Sequence, residues 1–190
     1  MKMVGPLCII VFVAIVAPLL TLIHELGHAL VALTLIPQDI VIRLGQDSKI
    51  RLFRRGRLQI LVQPIGGWFG YYNWAADVVE VKKSHALWIA LAGPAASLLT
   101  ALLCATLKSV LDVGLPFAGD LIHMSMVYAI ILFLATIIPI KYPSWWIGYA
   151  GRWSDGCLAW YCLFGESDKV VFVKKARHDE ASGDYPTQIY

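Results

Sequence analysis

The chain has 190 residues, 58% of them hydrophobic, with a strongly positive mean hydropathy and a formal net charge of +3. Soluble domains are about 45–50% apolar, so this composition excludes an ordinary soluble globule and points to a one-domain integral membrane protein. The charge is too small to imply a nucleic-acid partner, and the basic residues cluster beside apolar segments, as cytoplasmic flanks do.

The first apolar segment runs from about Gly5 to Ile36. As a helix it is about 45 Å long, more than a bilayer core of about 30 Å, so it must tilt, bend or protrude. Cleavage as a secretory signal is rejected, because the apolar run continues past residue 20. Its only charged side chain is Glu25, and its only histidines are His24 and His28. Together they read His24-Glu25-Leu26-Gly27-His28, or HELGH. Helical residues four apart share a face, so the two imidazoles can grip one zinc ion. Glu25 follows the first of them, where a carboxylate acts as general base on water. An ionisable group inside a span costs roughly 2.5–3.5 kcal/mol, so it persists where it faces a cavity, a partner or a metal. Pro18, one to two turns earlier, removes a helix hydrogen bond and predicts a bend that opens space near the site.

Pro37 ends this helix. The period then changes to two: Ile40, Ile42 and Leu44, then Ile50 and Leu52, then Leu58, Ile60 and Val62. These spacings predict three short strands in a β-rich interfacial region over 38–73. Arg43, Arg51, Arg54, Arg55 and Arg57 make the sheet basic, which suits either anionic lipid head groups or a solvated hairpin. Pro64 to Tyr72 holds Gly66, Gly67 and Gly70 among aromatics and reads as an interfacial loop. It serves either as an anchor or as an edge that pairs with an unwound substrate segment, with Gly66 and Gly67 as candidate substrate contacts.

The second apolar segment, about 85–107, carries Ala92-Gly93-Pro94-Ala95-Ala96-Ser97, whose small residues permit close helix contact. The third, about 121–140, ends near Pro139 and holds Thr136; His123 at its start reads as interfacial. Ser154-Asp155-Gly156 opens a short helix over 154–164, too short to span. Ser154 or Asp155 suits its N-cap. Residues 166–190 form a polar tail, and 1–165 one core. Cys8, Cys104, Cys157 and Cys162 have no CxxC spacing and read as reduced, buried thiols.

The loop between the first two segments holds Arg43, Lys49, Arg51, Arg54, Arg55, Arg57, Lys82 and Lys83, whereas the next loop has Lys108 alone. The 37–83 loop is therefore expected in the cytoplasm, with the C-terminal tail on the same side if the last helix is re-entrant. A catalytic zinc takes three protein ligands and one open position. Most other acids lie in polar loops or the tail; Asp155 lies between apolar segments and is the candidate third ligand.

HELGH in the first membrane helix, AGPAAS at 92–97, TIIP at 136–139 and SDG at 154–156 follow one another in this order. The combination resembles the site-2 protease family of intramembrane zinc metalloproteases, over about residues 5–165. The resemblance implies three core transmembrane helices; with the short strands and the short last helix read above, the expected fold is an α-helical polytopic membrane protein with three core transmembrane helices, a short re-entrant or partial fourth helix and a small membrane-associated β-sheet after the first helix. It implies one zinc per chain on His24, His28 and Asp155, Glu25 as catalytic base, and Thr136 near substrate. The expected partners are a transmembrane protein or apolar peptide substrate, the lipid bilayer, and a regulatory membrane partner or a second copy of the chain. A bacterial plasma membrane is the expected location. The chain departs from the family in having Ser97 and Thr136 where Asn is frequent, and in a longer stretch from Pro139 to Asp155. Two other readings stand beside an endopeptidase. One is a catalytically silent scaffold keeping the fold, which has no use for Glu25. The other is a metal transporter, which calls for polar residues along several helices.

Overall fold

The computed structural model describes residues 5–45, 48–63, 67–76, 78–111, 116–146, 149, 151–173 and 188–189. Gly66 lies outside them. The first apolar segment is one continuous rod, Pro6–Leu35. It comprises α1 (Pro6–Val11), a π-helical turn (Phe12–Val16) and α2 (Ala17–Leu35). Where the sequence predicts a bend at Pro18, the structure has this π turn just before the proline. Pro18 has no N–H to give the carbonyls behind it. In the wider register Ala17 N donates to Phe12 O, and the next carbonyl, Val13 O, accepts from the indole Nε1 of Trp68 at 2.6 Å. A distant loop thereby satisfies the group that proline strands. At the other end Pro37 holds Ile36 extended (φ −133°, ψ 137°), and α2 stops.

Three strands form where the alternation predicts them: β1 (Ile40–Leu44), β2 (Ile50–Arg55) and β3 (Leu58–Val62). A fourth, β4 (Gly70–Trp74), occupies part of the stretch read as a loop. Its run of Tyr71, Tyr72 and Trp74 has high strand propensity, and the open edge of β1 gives it a partner. The sheet order is β2-β3-β1-β4. β1 is parallel to β3, and the other two pairings are antiparallel. The inward residues Ile40, Ile42 and Ile60 pack on Ala29, Ala32 and Ile36, which fastens the sheet to the end of α2.

β5 (Val78–Lys82) pairs antiparallel with β6 (Lys169–Val173), and β7 (Gln188–Ile189) adds to β6. The tail read as polar therefore contributes a strand. Its Val170 and Phe172 are buried in the same core as β5, a period-two signal enclosed by charged residues. The remaining helices are α3 (Lys83–Leu111), α4 (Pro116–Ile137) and α5 (Asp155–Phe164). Both long ones start earlier than the hydropathy suggests, and α4 stops before Pro139.

Among the described residues, three helices are long and apolar enough to cross a membrane: Pro6–Leu35, Lys83–Val110 and Phe117–Ile137. They expose large apolar side chains such as Ile10, Leu30, Leu99, Leu103, Val110 and Ile131. α5, at about 15 Å, is too short to do so. The principal core joins α2, α3 and α5 to both sheets. A smaller one packs Phe12, Ala17 and Leu20 against Leu121, Met124, Tyr128 and Leu132 of α4.

Candidate metal centre

The site is built where α2, α3 and α5 meet. The eight buried residues of α2 (Ala17, Leu20, Thr21, His24, Glu25, His28, Ala29 and Ala32) recur every three or four positions, the face a helix turns to its neighbours. The HELGH turn lies on that face with all three ionisable side chains buried. α3 can approach it because its facing residues are small. A Cβ on Gly27 would meet Ala92 O at 2.6 Å and Ala96 Cβ at 2.9 Å, and a Cβ on Gly93 would overlap the His28 imidazole. The AGPAAS run is thus a seat for HELGH.

α5 brings the third group. Ser154, extended at φ −68° and ψ 162°, is its N-cap and accepts from Cys157 N at 3.1 Å. The capping role falls to Ser154, which leaves the Asp155 carboxylate free in the first turn, where the helix dipole favours an anion. Ser154 also ties α5 to the end of α4: its hydroxyl donates to Ile138 O at 2.6 Å, and its backbone N–H to Ile140 O at 2.9 Å. Gly156 then lies so close to Ile137 O that any Cβ would overlap it. The long stretch between Pro139 and Asp155 folds back on itself, with Tyr142 N donating to Arg152 O at 2.8 Å and a bridge between Lys141 and Trp153. The pairing of its two ends returns Asp155 to the helix end the chain left.

His24 Nε2, His28 Nε2 and Asp155 Oδ2 converge. The separations are 3.2 Å between the two nitrogens and 3.3 Å from each nitrogen to the oxygen. A tetrahedral zinc with ligands at about 2.0–2.1 Å holds its donors about 3.3–3.4 Å apart. The three atoms therefore fit such an ion in both chemistry and spacing. The far sides of the imidazoles are also set. His28 Nδ1 donates to Ile89 O at 2.6 Å, since a carbonyl can only accept, and this turns Nε2 toward the cluster. His24 Nδ1 is hydrogen-bonded to Ser97 Oγ at 2.8 Å. Such partners orient metal-binding histidines. Burial works to raise the Asp155 carboxyl, but the charges and hydrogen bonds of His28 and His24 outweigh it and hold the group well below the usual carboxylate range.

Glu25 faces a different neighbourhood. A Cβ on Gly70, the first residue of β4, would lie 2.9 Å from Glu25 Cγ, 3.0 Å from its Oε1 and 2.6 Å from Thr21 Cγ2. Tyr149 secures that glycine: its hydroxyl accepts from Gly70 N at 3.0 Å and donates to Gly70 O at 3.1 Å. Burial pushes the Tyr149 hydroxyl up, so it stays protonated and can donate. Arg152 lies over the Tyr71 ring at 3.9 Å. Burial pulls its guanidinium down, opposed by Tyr71, Tyr149 and Glu25. One turn before Glu25, Thr21 Oγ1 donates to Ala17 O at 3.1 Å and lies 3.0 Å from Tyr128 Oη.

Of the residues singled out in the sequence, His24, Glu25, His28 and Asp155 come together. Gly67 lies beside Pro18, where its Cβ would be 3.3 Å from the proline ring. Thr136 does not join the cluster, and its hydroxyl bonds back to Leu132 O at 2.9 Å within α4. Ile89, Tyr149 and Arg152 carried no sequence signal as site residues, and Gly70 was marked only as one glycine of the aromatic loop. Ile89, Gly93 and Ser97 recur every four residues, a helical stripe visible in the sequence once HELGH supplies a reason to look for its seat. No family model, curated protein or solved structure matches the chain.

Proposed function

We propose that the chain is an intramembrane zinc endopeptidase of the site-2 protease type. It crosses the membrane on Pro6–Leu35, α3 and α4, with α5 entering only part way. The observation that carries this reading is the convergence of His24, His28 and Asp155 at tetrahedral spacing, with the Glu25 carboxylate buried one residue from a donor. A purely structural site has no use for that carboxylate.

In this reading His24, His28 and Asp155 hold the ion, while Ser97 and Ile89 O fix the imidazoles. Zinc supplies Lewis acidity, which acidifies water toward a pKa of about 7 and polarises a carbonyl. Glu25 accepts a proton from the attacking water and passes it to the departing amide nitrogen. Gly70, held by Tyr149, leaves room for that carboxylate. The substrate is a membrane helix, locally unwound, or an apolar peptide. The basic residues of the 37–83 loop support a cytoplasmic side for it, and for the tail with α5 re-entrant.

The test co-reconstitutes the protein with tagged single-span membrane proteins and follows their fragments. The wild type is expected to release fragments, chelation to stop it and added zinc to restore it. Glu25→Gln is expected to lose cleavage. Equal cleavage by wild type and Glu25→Gln would sink the assignment.

A further inference from the structure

The hairpin formed by β2 and β3 has no use in the proposed chemistry. Every residue of β2 is exposed, and β2 is the outer strand of its sheet. Three large apolar side chains lie open on it: Ile50 at 53%, Leu52 at 61% and Phe53 at 43%. Arg51, Arg54 and Arg55 stand between and beside them, and none has an ion pair or hydrogen bond to another described residue. No acidic residue occurs from Ser48 to Ala76. The charge of the hairpin is therefore not compensated along this length of chain.

Arg57, at the turn, behaves differently. Its guanidinium donates to Leu33 O and Ile36 O, each at 2.5 Å. Leu33 O belongs to the last turn of α2, which has no helical donors left, and Ile36 O to the residue just past it. Arg57 thereby caps the first long apolar helix and holds the hairpin at the level where that helix ends.

We propose that the β2–β3 hairpin docks on an anionic phospholipid surface on the side where α2 emerges. Arg51, Arg54 and Arg55 meet lipid phosphates, which guanidinium groups bind in bidentate fashion. Ile50, Leu52 and Phe53 enter the boundary between head groups and acyl chains. Arginines on an outer strand also discourage sheet-to-sheet aggregation, but that role leaves three exposed apolar side chains without a purpose. A solvated hairpin leaves them unexplained as well. The inference rests on the membrane reading above and is independent of catalysis.

The test uses the full chain in nanodiscs, with an environment-sensitive fluorescent amino acid replacing Leu52 and, in a second sample, Leu99. Leu99 lies in the middle of α3 and is 67% exposed. Quenching by lipid-borne spin labels is compared between phosphatidylcholine alone and phosphatidylcholine with phosphatidylglycerol. The probe at 52 is expected to be quenched about threefold or more strongly when the anionic lipid is present. Molar salt shortens the Debye length to about 3 Å and is expected to erase the difference. Combining Arg51→Gln, Arg54→Gln and Arg55→Gln is expected to do the same. The probe at 99 is expected to be quenched alike in both lipids and in the triple variant, which also reports that the variant stays folded. Weak quenching at 52 that ignores lipid charge, with 99 still quenched, overturns the docking and leaves a solvated or protein-binding hairpin. An unquenched probe at 99 overturns the membrane reading and the docking with it.

Discussion

Ser97 and Gly93 bear on the metal centre without being ligands. Ser97→Ala removes the partner of His24 Nδ1 and leaves the imidazole free to turn. The loss of such a partner costs about 10–100-fold in metal affinity. We expect a competitive chelator titration to show a drop of that order with little change in folding. Gly93→Ala places a methyl group in the His28 ring, and overpacking costs about 1–3 kcal/mol. We expect it to lower both zinc retention and the unfolding midpoint, which separates it from Ser97→Ala. The two histidines were legible because ligation at a helical spacing of four is a local pattern. Asp155 was legible only as an acid out of place between apolar segments. Tyr149 and Arg152 were not legible, because their positions depend on how a loop returns to the helices. Nothing local distinguishes that tyrosine from the seven others in the chain.

Elements were read best where a period was sustained. The long apolar segments and the strands β1 to β3 follow from such periods. β4 was missed because its aromatics also suit a membrane interface, and β6 because charged neighbours mask a short alternation. The π turn has a cause in Pro18, but its partner, Trp68, is far along the chain. Trp68→Phe keeps the ring and removes the N–H that Val13 O accepts. A carbonyl left without its hydrogen bond costs roughly 1 kcal/mol. We expect a lower unfolding midpoint in detergent and faster hydrogen exchange along Phe12–Val16, with zinc content unchanged. Unaltered exchange there would mean that the indole does not hold the turn.

At the scale of the whole molecule, three glycine contacts bring separate sequence motifs to one point. Gly27 and Gly93 close α2 on α3, and Gly156 closes α5 on the end of α4. Motifs spread from residue 24 to residue 156 thus form one site. The order of the motifs along the chain was readable in the sequence. That His24, His28 and Asp155 meet was expected from the ligand pattern; how they meet was not, because it depends on helix packing and on the pairing of Ile140 and Tyr142 with Ser154 and Arg152. The central claim is that this meeting point holds one zinc ion through three side chains while Glu25 stays free for chemistry. Its most direct test is the zinc content of the purified, metal-replete protein, wild type beside Asp155→Ala and Glu25→Gln. The account predicts one zinc per chain in the wild type, retained by Glu25→Gln and weakened by Asp155→Ala. A wild type without zinc would contradict the claim outright, and zinc binding unaffected by Asp155→Ala would contradict the ligand set.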